Sequence, residues 1–279
     1  MSHPPITTIH TWTPSSRGKP RVGSTVEVIA ESGVMTVTIA RPEVRNAVDA
    51  QTAAALSDAF RTFEGDRSLS VAILTGAGGH FCSGFDLKAL ANDSHGRLVE
   101  GGEGPMGPTR MVLSKPVIAA IEGYAVAGGL ELALWCDLRV AASDATFGVF
   151  NRRFGVPLID MGTIRLPRLI GQGRALDMIL TGRPVAADEA LRIGLVERLV
   201  VPGHSLDEAQ KLARSLGEFP QGALRADRRS VINQWSLSVE DAGRAEHRGG
   251  LDVLGSGEAQ QGARRFAGGA GRHGADHLP

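Results

Sequence analysis

Two stretches of this chain place glycine where a strand hands over to a helix. The first is His80-Phe81-Cys82-Ser83-Gly84-Phe85-Asp86-Leu87, and the second runs from Glu122-Gly123-Tyr124 through Gly128-Gly129-Leu130-Glu131 to Ala133. The first N–H groups of a helix lack internal partners and sit at the positive end of its dipole, so they suit an anion. Glycine lets a ligand oxygen come close to the backbone. Two such turns can aim two donors at one oxygen and stabilise charge that develops there; losing one donor of this kind typically costs about 10²–10³ in rate. A single Gly-rich turn is more often simple packing, so the argument rests on the pair. Glu131 lies three residues after Gly128 and shares its helix face. A semi-buried carboxyl at that place is a fair general acid or base. The alternative is a first-turn Glu that favours the helix dipole or pairs structurally.

Other chemistries fit less well. Cys82 and Ser83 lack a recognisable His/Asp partner set, which argues against a nucleophile. The two cysteines, Cys82 and Cys136, form no disulfide framework and no C-x-x-C metal site. They read as reduced, buried thiols. His80, a lone histidine in a polar turn, reads as solvated, and Tyr124, Trp135 and Phe147 read as core. Arg225, Arg228 and Arg229 lie on an expected helix. They would serve a solvated face, a subunit contact or a ligand phosphate.

The elements that must position these groups follow from periodicity. Thr25–Ile29 and Val34–Ile39 alternate as strands around the turn Ser32-Gly33. Asp49 is a plausible N-cap for a helix over Ala50–Glu64, with Leu56, Phe60 and Phe63 at helical spacing. Val71–Leu74 and Val117–Ile121 are apolar runs expected to be buried strands. A helix follows over Ala127–Trp135, and Leu138–Ala141 returns as a strand. Beyond Gly171 the pattern is helical over 174–180, 187–193, 205–216 and 222–236, with a short strand at Val196–Val200. Residues 91–109 are polar and rich in Gly and Pro. They read as a mobile loop over a site or as a surface insertion. Residues 1–24 read as a flexible arm and 268–279 as a disordered tail. The expected division is a core over 25–200 and a helical region over 201–267, in an α/β layered architecture.

With 279 residues, the chain is ample for a buried core. Its formal net charge is zero, which gives no electrostatic case for nucleic acid. No apolar run is long enough to span a bilayer, and the N-terminus lacks the order of a signal peptide, so the cytoplasm is expected.

The residues in this order resemble the crotonase (enoyl-CoA hydratase/isomerase) superfamily. The most specific stretch runs from Lys115-Pro116-Val117 through Gly128-Gly129-Leu130-Glu131-Leu132-Ala133 to Cys136-Asp137-Leu138. Arg41–Ala47, Phe81–Leu87, Arg165–Gly171 and Ala187–Val196 support it. The resemblance implies a spiral of ββα units with a C-terminal helical region used in trimer assembly, as a homotrimer or a dimer of trimers. It implies an acyl-CoA thioester as substrate, with no cofactor beyond the coenzyme A that the substrate carries and no metal. By motif position the two backbone donors to the thioester oxygen are Phe85 and Gly128. Phe at the first departs from the frequent Ala and narrows the acyl pocket. Val44, Arg45 and Ala47 match the CoA-contacting turn, and Asp86, Leu87 and Lys88 line the same ligand path. The family's hydratases use two glutamates. One matches Glu131; the other position holds Asn151, which cannot transfer a proton as a carboxyl does. Asp160 lies nearby in a stretch that approaches the site in several relatives. It either replaces the missing acid or caps the following helix. The expected activity is hydration of a 2-enoyl-CoA through an enolate. The alternatives are isomerisation, racemisation or thioester hydrolysis, or a weakly catalytic CoA-thioester binding protein.

Overall fold

The computed structural model describes residues 25–92 and 101–269. The expected arm and almost all of the expected tail lie outside the described residues. Strands β1 (Val26–Glu31) and β2 (Val34–Ile39) form an antiparallel hairpin. Its turn places Ser32 at φ 50° and Gly33 at φ 78°, a twist that matches the flanking strands. Helix α1 (Ala50–Gly65) follows, and the Asp49 carboxylate accepts the Thr52 N–H at 2.8 Å as its N-cap. Then come β3 (Val71–Gly76), the short α2 (Leu87–Ala91), β4 (Val117–Ile121), β5 (Tyr124–Val126) and α3 (Gly128–Trp135). The chain continues through β6 (Leu138–Ala142), β7 (Thr146–Gly148), α4 (Gly162–Ile170), α5 (Gln172–Thr181), β8 (Val185–Ala186), α6 (Ala187–Arg192) and β9 (Arg198–Val200). Four helices close it: α7 (Ser205–Glu218), α8 (Gln221–Asn233), α9 (Val239–Gly255) and α10 (Glu258–Ala267).

Six strands form one sheet in the order β1-β2-β3-β4-β6-β9, and β5-β7-β8 form a second. Beyond the first hairpin the large sheet is parallel throughout. Its middle strands are buried on both faces, which explains why Val71–Leu74 and Val117–Ile121 read as unbroken apolar runs. Leu56, Phe60 and Phe63 of α1 fill one core cluster, while Ala209 and Ala213 of α7 pack against Val71, Ile73 and Ile118 on the opposite side. The result is a layered α/β architecture with helices gathered at the C-terminal end.

Two buried cations tie the layers. The Lys115 ammonium donates to the carbonyls of Phe63 and Asp66, both at 2.6 Å, and so closes the free end of α1. Arg139, only 2 % exposed, donates to the carbonyls of Ala133, Cys136 and Leu195 and pairs with the Glu197 carboxylate. It joins the end of α3 to the β6–β9 edge.

Several expectations need correction. The second sheet was not foreseen, because three strands of two or three residues carry too short a pattern. Helix α4 contains Pro167 in its interior, a residue that ordinarily argues for a boundary. The expected helix over 222–236 ends at Asn233 and tightens into a 3-10 turn at Gln234–Ser236. Tyr124 is not core but 37 % exposed, whereas Trp135 and Phe147 are buried as expected. Of the three arginines on α8, Arg228 is committed to structure: it pairs with Asp137 at 2.9 Å and donates to the Leu113 carbonyl.

Candidate active site

The first glycine turn is held from both sides. Val48 bridges Phe85, and Cys82 bridges Ala125 of β5. Buried Asn46 donates to the carbonyls of Ala77 and His80 and accepts the Arg41 N–H. The Arg41 guanidinium reaches Asp49 at 3.2 Å, Asp86 at 3.1 Å and the Ala47 carbonyl at 2.5 Å. Residues 41–49 and 81–86 therefore form one fixed block.

This block sets the first turn against the second. Gly84 has φ +103°, and a Cβ there would lie 2.9 Å from the Gly128 N and 2.9 Å from the Ala127 Cβ. Glycine is required both by the backbone conformation and by the close approach. Gly129 is equally constrained, since its Cβ would meet the Cys82 carbonyl oxygen at 2.1 Å. The Gly128 N–H begins α3, and Phe85 is the residue after Gly84. Neither N–H donates to a backbone carbonyl in a turn or loop among the described residues. Two unengaged donors thus flank one point of close backbone contact.

A cavity of about 440 Å³ opens beside them. Phe85, Leu87, Gly128, Glu131, Asn151 and Asp160 all line it, so six of the expected site residues converge there. Most of the remaining wall is apolar, including Met106, Phe150 and Ile159. Val44 and Arg45 line a shallower neighbouring basin of about 390 Å³ that shares Ser83 with the first. Ala47, Asp86 and Lys88 line neither. Asp86 instead caps α2 through the Lys88 and Ala89 N–H groups and pairs with Arg41, so its carboxylate is spent on the block itself.

The carboxyl pair is the centre of the electrostatics. Glu131 is 3 % exposed, and its Oε1 accepts the N–H of Asp160 and of Gly162, both at 2.9 Å. Those donors belong to the start of α4, so the Glu131 carboxyl oxygen caps that helix from another element. Burial, followed by the neighbouring Asp160 charge, pushes the Glu131 carboxyl up to about 8. Asp160 is 2 % exposed. Its Oδ1 accepts the Met106 N–H at 3.1 Å and the Thr109 hydroxyl. Burial raises its pKa, and the Thr109 and Met106 donors oppose that rise. The residue does not cap α4: the N-cap is Met161, with no side-chain cap bond. Half-buried Arg165 donates to the Asp160 and Thr109 carbonyls and places a positive charge beside both acids.

Asn151 is 7 % exposed and donates from Nδ2 to the Val156 carbonyl at 2.8 Å. Its Oδ1 is buried without a hydrogen-bond partner. The thiol of Cys82 is also buried; it donates to the Asn46 carbonyl, and burial pushes it up to about 12. It is no nucleophile. His80 departs from the solvated reading, because its Nδ1 is buried and unpartnered and its ring lies 5.2 Å from that of Tyr124.

Sequence reasoning missed Met106, Thr109, Gly162 and Arg165. The first two sit in the Gly/Pro-rich stretch that reads as a loop or insertion. Residues 104–109 are in fact buried against Asp160 and α1. Residues 93–100 of that stretch lie outside the described residues. The usable signal was Met106, a large apolar side chain in an otherwise polar stretch. Gly162 and Arg165 fell in the helix expected to follow Asp160 and in the family-like stretch Arg165–Gly171, where nothing local shows that they meet the acids.

A model of the enoyl-CoA hydratase/isomerase family matches residues 29–268. A carnitinyl-CoA dehydratase from Salmonella arizonae is 40% identical over 240 residues, covering 84% of this chain and 92% of that one. An enoyl-CoA hydratase from Mycobacterium tuberculosis H37Rv superposes with a TM-score of 0.83 at 40% identity, over 88% of this chain and 96% of that chain. One from Mycobacterium marinum gives 0.83 at 38% identity, with the same coverage. Coverage of this extent includes both glycine turns and the carboxyl pair, and the chain therefore belongs to the enoyl-CoA hydratase/isomerase family.

Proposed function

We propose that this protein is a hydratase-like acyl-CoA enzyme that adds water to a 2-enoyl-CoA, or removes it from the 3-hydroxy product. The observation that carries the reading is the cavity that Glu131 and Asp160 line together with Phe85 and Gly128. The thioester oxygen accepts both N–H groups. Water attacks C3, its proton passes to a carboxylate, and the C2=C3 electron pair moves to form the enolate. A carboxylic acid then protonates C2. Glu131, with the larger shift, keeps its proton at neutral pH and acts as that acid; Asp160 receives the proton from water. One carboxyl of each form is what two opposite proton transfers require. Both carboxyls belong to the chain, and the proposed proton transfers use them alone.

Val44 and Arg45 in the adjoining basin fit the coenzyme A portion, and Leu87 borders the acyl path. Further features belong to the same reading. The core is placed at 25–200 and the helical region at 201–267, although α7 of the latter lies on the sheet. Val231, Trp235, Val239, Leu251, Leu254 and Phe266 are exposed on the last helices, which supports a homotrimer or dimer of trimers. No described helix is long and apolar enough to cross a membrane. Cytoplasmic residence remains part of the proposal.

The test is incubation of the protein with 2-enoyl-CoAs of several lengths, following loss of the conjugated-thioester absorbance and product mass. Gain of one water supports hydration. A product of unchanged mass assigns isomerisation, the reading favoured by Asn151 standing where a second glutamate was expected. No turnover at any length refutes the hydratase.

A further inference from the structure

Residue 160 is held at every polar atom but one. Its N–H donates to Glu131, its carbonyl accepts the Arg165 guanidinium at 3.2 Å, and its Oδ1 accepts the Met106 N–H and the Thr109 hydroxyl. Arg165 also donates to the Thr109 carbonyl at 2.7 Å, so Arg165, Thr109 and Asp160 close a ring of hydrogen bonds. The second oxygens, Asp160 Oδ2 and Glu131 Oε2, accept no bond among the described residues and are not among the buried unpartnered atoms. They stay open to the cavity that both side chains line. Both guanidinium bonds of half-buried Arg165 end on carbonyls. Its charge therefore acts on the two acids without pairing to either.

Two carboxyls this close repel when both ionise, and burial disfavours even the first charge. A permanent cation beside them offsets one carboxylate. Resting on the hydratase reading, we propose that Arg165 is the positioning residue of the acid pair: it fixes Asp160 through the peptide carbonyl and Thr109, and its charge keeps one carboxylate beside one carboxylic acid. The other charged and titratable groups around the pair are directed elsewhere. Arg110 donates to the Gly101 and Ile159 carbonyls, Arg168 lies over the Trp235 ring at 4.9 Å, and the buried Cys136 thiol bonds the Leu132 carbonyl, its pKa raised by burial. Arg110 acts on Asp160, but Arg165 acts on both acids. Without Arg165 both carboxyls keep their protons at neutral pH, and the base that receives the proton of water is lost.

The experiment compares kcat/KM against pH on a 2-enoyl-CoA for the wild type, R165Q, which keeps a donor without the charge, and R165K, which keeps the charge. In R165Q both limbs should move to higher pH by about one pH unit or more, so that activity lost at neutral pH returns on the alkaline side. R165K should hold both limbs near their wild-type positions. Limbs that stay in place in R165Q while the height falls overturn the proposal, reduce Arg165 to packing and leave hydration standing. An R165K profile displaced as far as that of R165Q also overturns it. A second readout needs no turnover: the infrared band of protonated carboxyl, assigned by its loss in E131Q, is followed from pH 5 to pH 10. Its midpoint should rise in R165Q and not in R165K, even if the protein adds no water to any enoyl-CoA. Equal midpoints in all three proteins refute the proposal whatever the activity. If R165Q does not fold by circular dichroism, R165M replaces it. If neither folds, R165K decides: a displaced profile or midpoint overturns the proposal, and unmoved ones support it.

Discussion

Replacing Glu131 with Gln should make the protein more stable at alkaline pH while disabling it. The folded carboxyl titrates at about 8 against an ordinary 4.5. Between those values the folded state holds a proton that the unfolded chain has released. Stability therefore falls as pH rises through this window and levels off above about 8. At about 1.36 kcal/mol per pH unit, the interval comes to about 5 kcal/mol, an upper bound because Asp160 titrates with it. Glutamine keeps an oxygen for the Asp160 and Gly162 N–H groups but cannot ionise. The assay is urea denaturation of both proteins from pH 5 to pH 9, read as the difference between them, so that titrations elsewhere cancel. The two should agree within about 1 kcal/mol at pH 5. At pH 9 the Gln variant should lead by several kcal/mol, with turnover reduced about 10²–10⁴-fold throughout. A stability difference that is the same at pH 5 and pH 9 would refute the account of Glu131 as a buried carboxyl poised to change charge.

Three further outcomes are expected. Asp160→Asn should lower kcat about 10²–10⁴-fold with little change in KM, checked by steady-state kinetics on an enoyl-CoA; unaltered kcat would remove Asp160 from the reaction. Thr109→Val deletes a donor that holds the Asp160 pKa down, so the acidic limb of the kcat/KM profile should move to higher pH. A profile that keeps its position and loses only height would mean that Thr109 serves packing alone. Gly84→Ala combines a φ of +103° with a Cβ 2.9 Å from the Gly128 N. It should cost about 1–3 kcal/mol in denaturation experiments and about 10²-fold or more in rate, as the two amides are driven apart.

The legible parts of this chain were those whose physics is local. Asp49 as a cap, the Ser32-Gly33 turn and the apolar runs of β3 and β4 each announce themselves within a few residues. The paired glycine turns were also readable, because the close approach of Gly84 to Gly128 leaves no room for another residue type. What escaped depends on distant partners. Nothing local to Thr109 says that its hydroxyl meets Asp160, fifty-one positions away in sequence. Asp160 itself admitted two readings, acid or helix cap, and the structure removes the cap, because α4 begins at Met161 with no side-chain cap bond. The second sheet failed for the opposite reason: its strands are local but too short to carry a period.

In the proposed mechanism, the position of the second acid changes how the proton cycle couples to the scaffold. Had the carboxyl stood at residue 151, it would have been tied to a 3-10 turn with no bond to Glu131. At residue 160 it follows directly from an N–H that Glu131 grips, with Gly162 as the second point of attachment. A charge-assisted hydrogen bond is roughly twice as strong as a neutral one. When Glu131 gives up its proton to C2, its hold on the segment bearing Asp160 therefore tightens at the moment Asp160 has become neutral. When Asp160 returns its proton, that hold relaxes. In the proposed cycle the Phe85 and Gly128 N–H donors stay constant because they are backbone, so a Phe ring at 85 alters what enters the cavity while its N–H is held by the Val48 bridge and by Gly84. The reaction class thus rests on which carboxyls surround an unchanging pair of amides. Under the proposed function the second acid of this chain is Asp160, on the segment that Glu131 already holds.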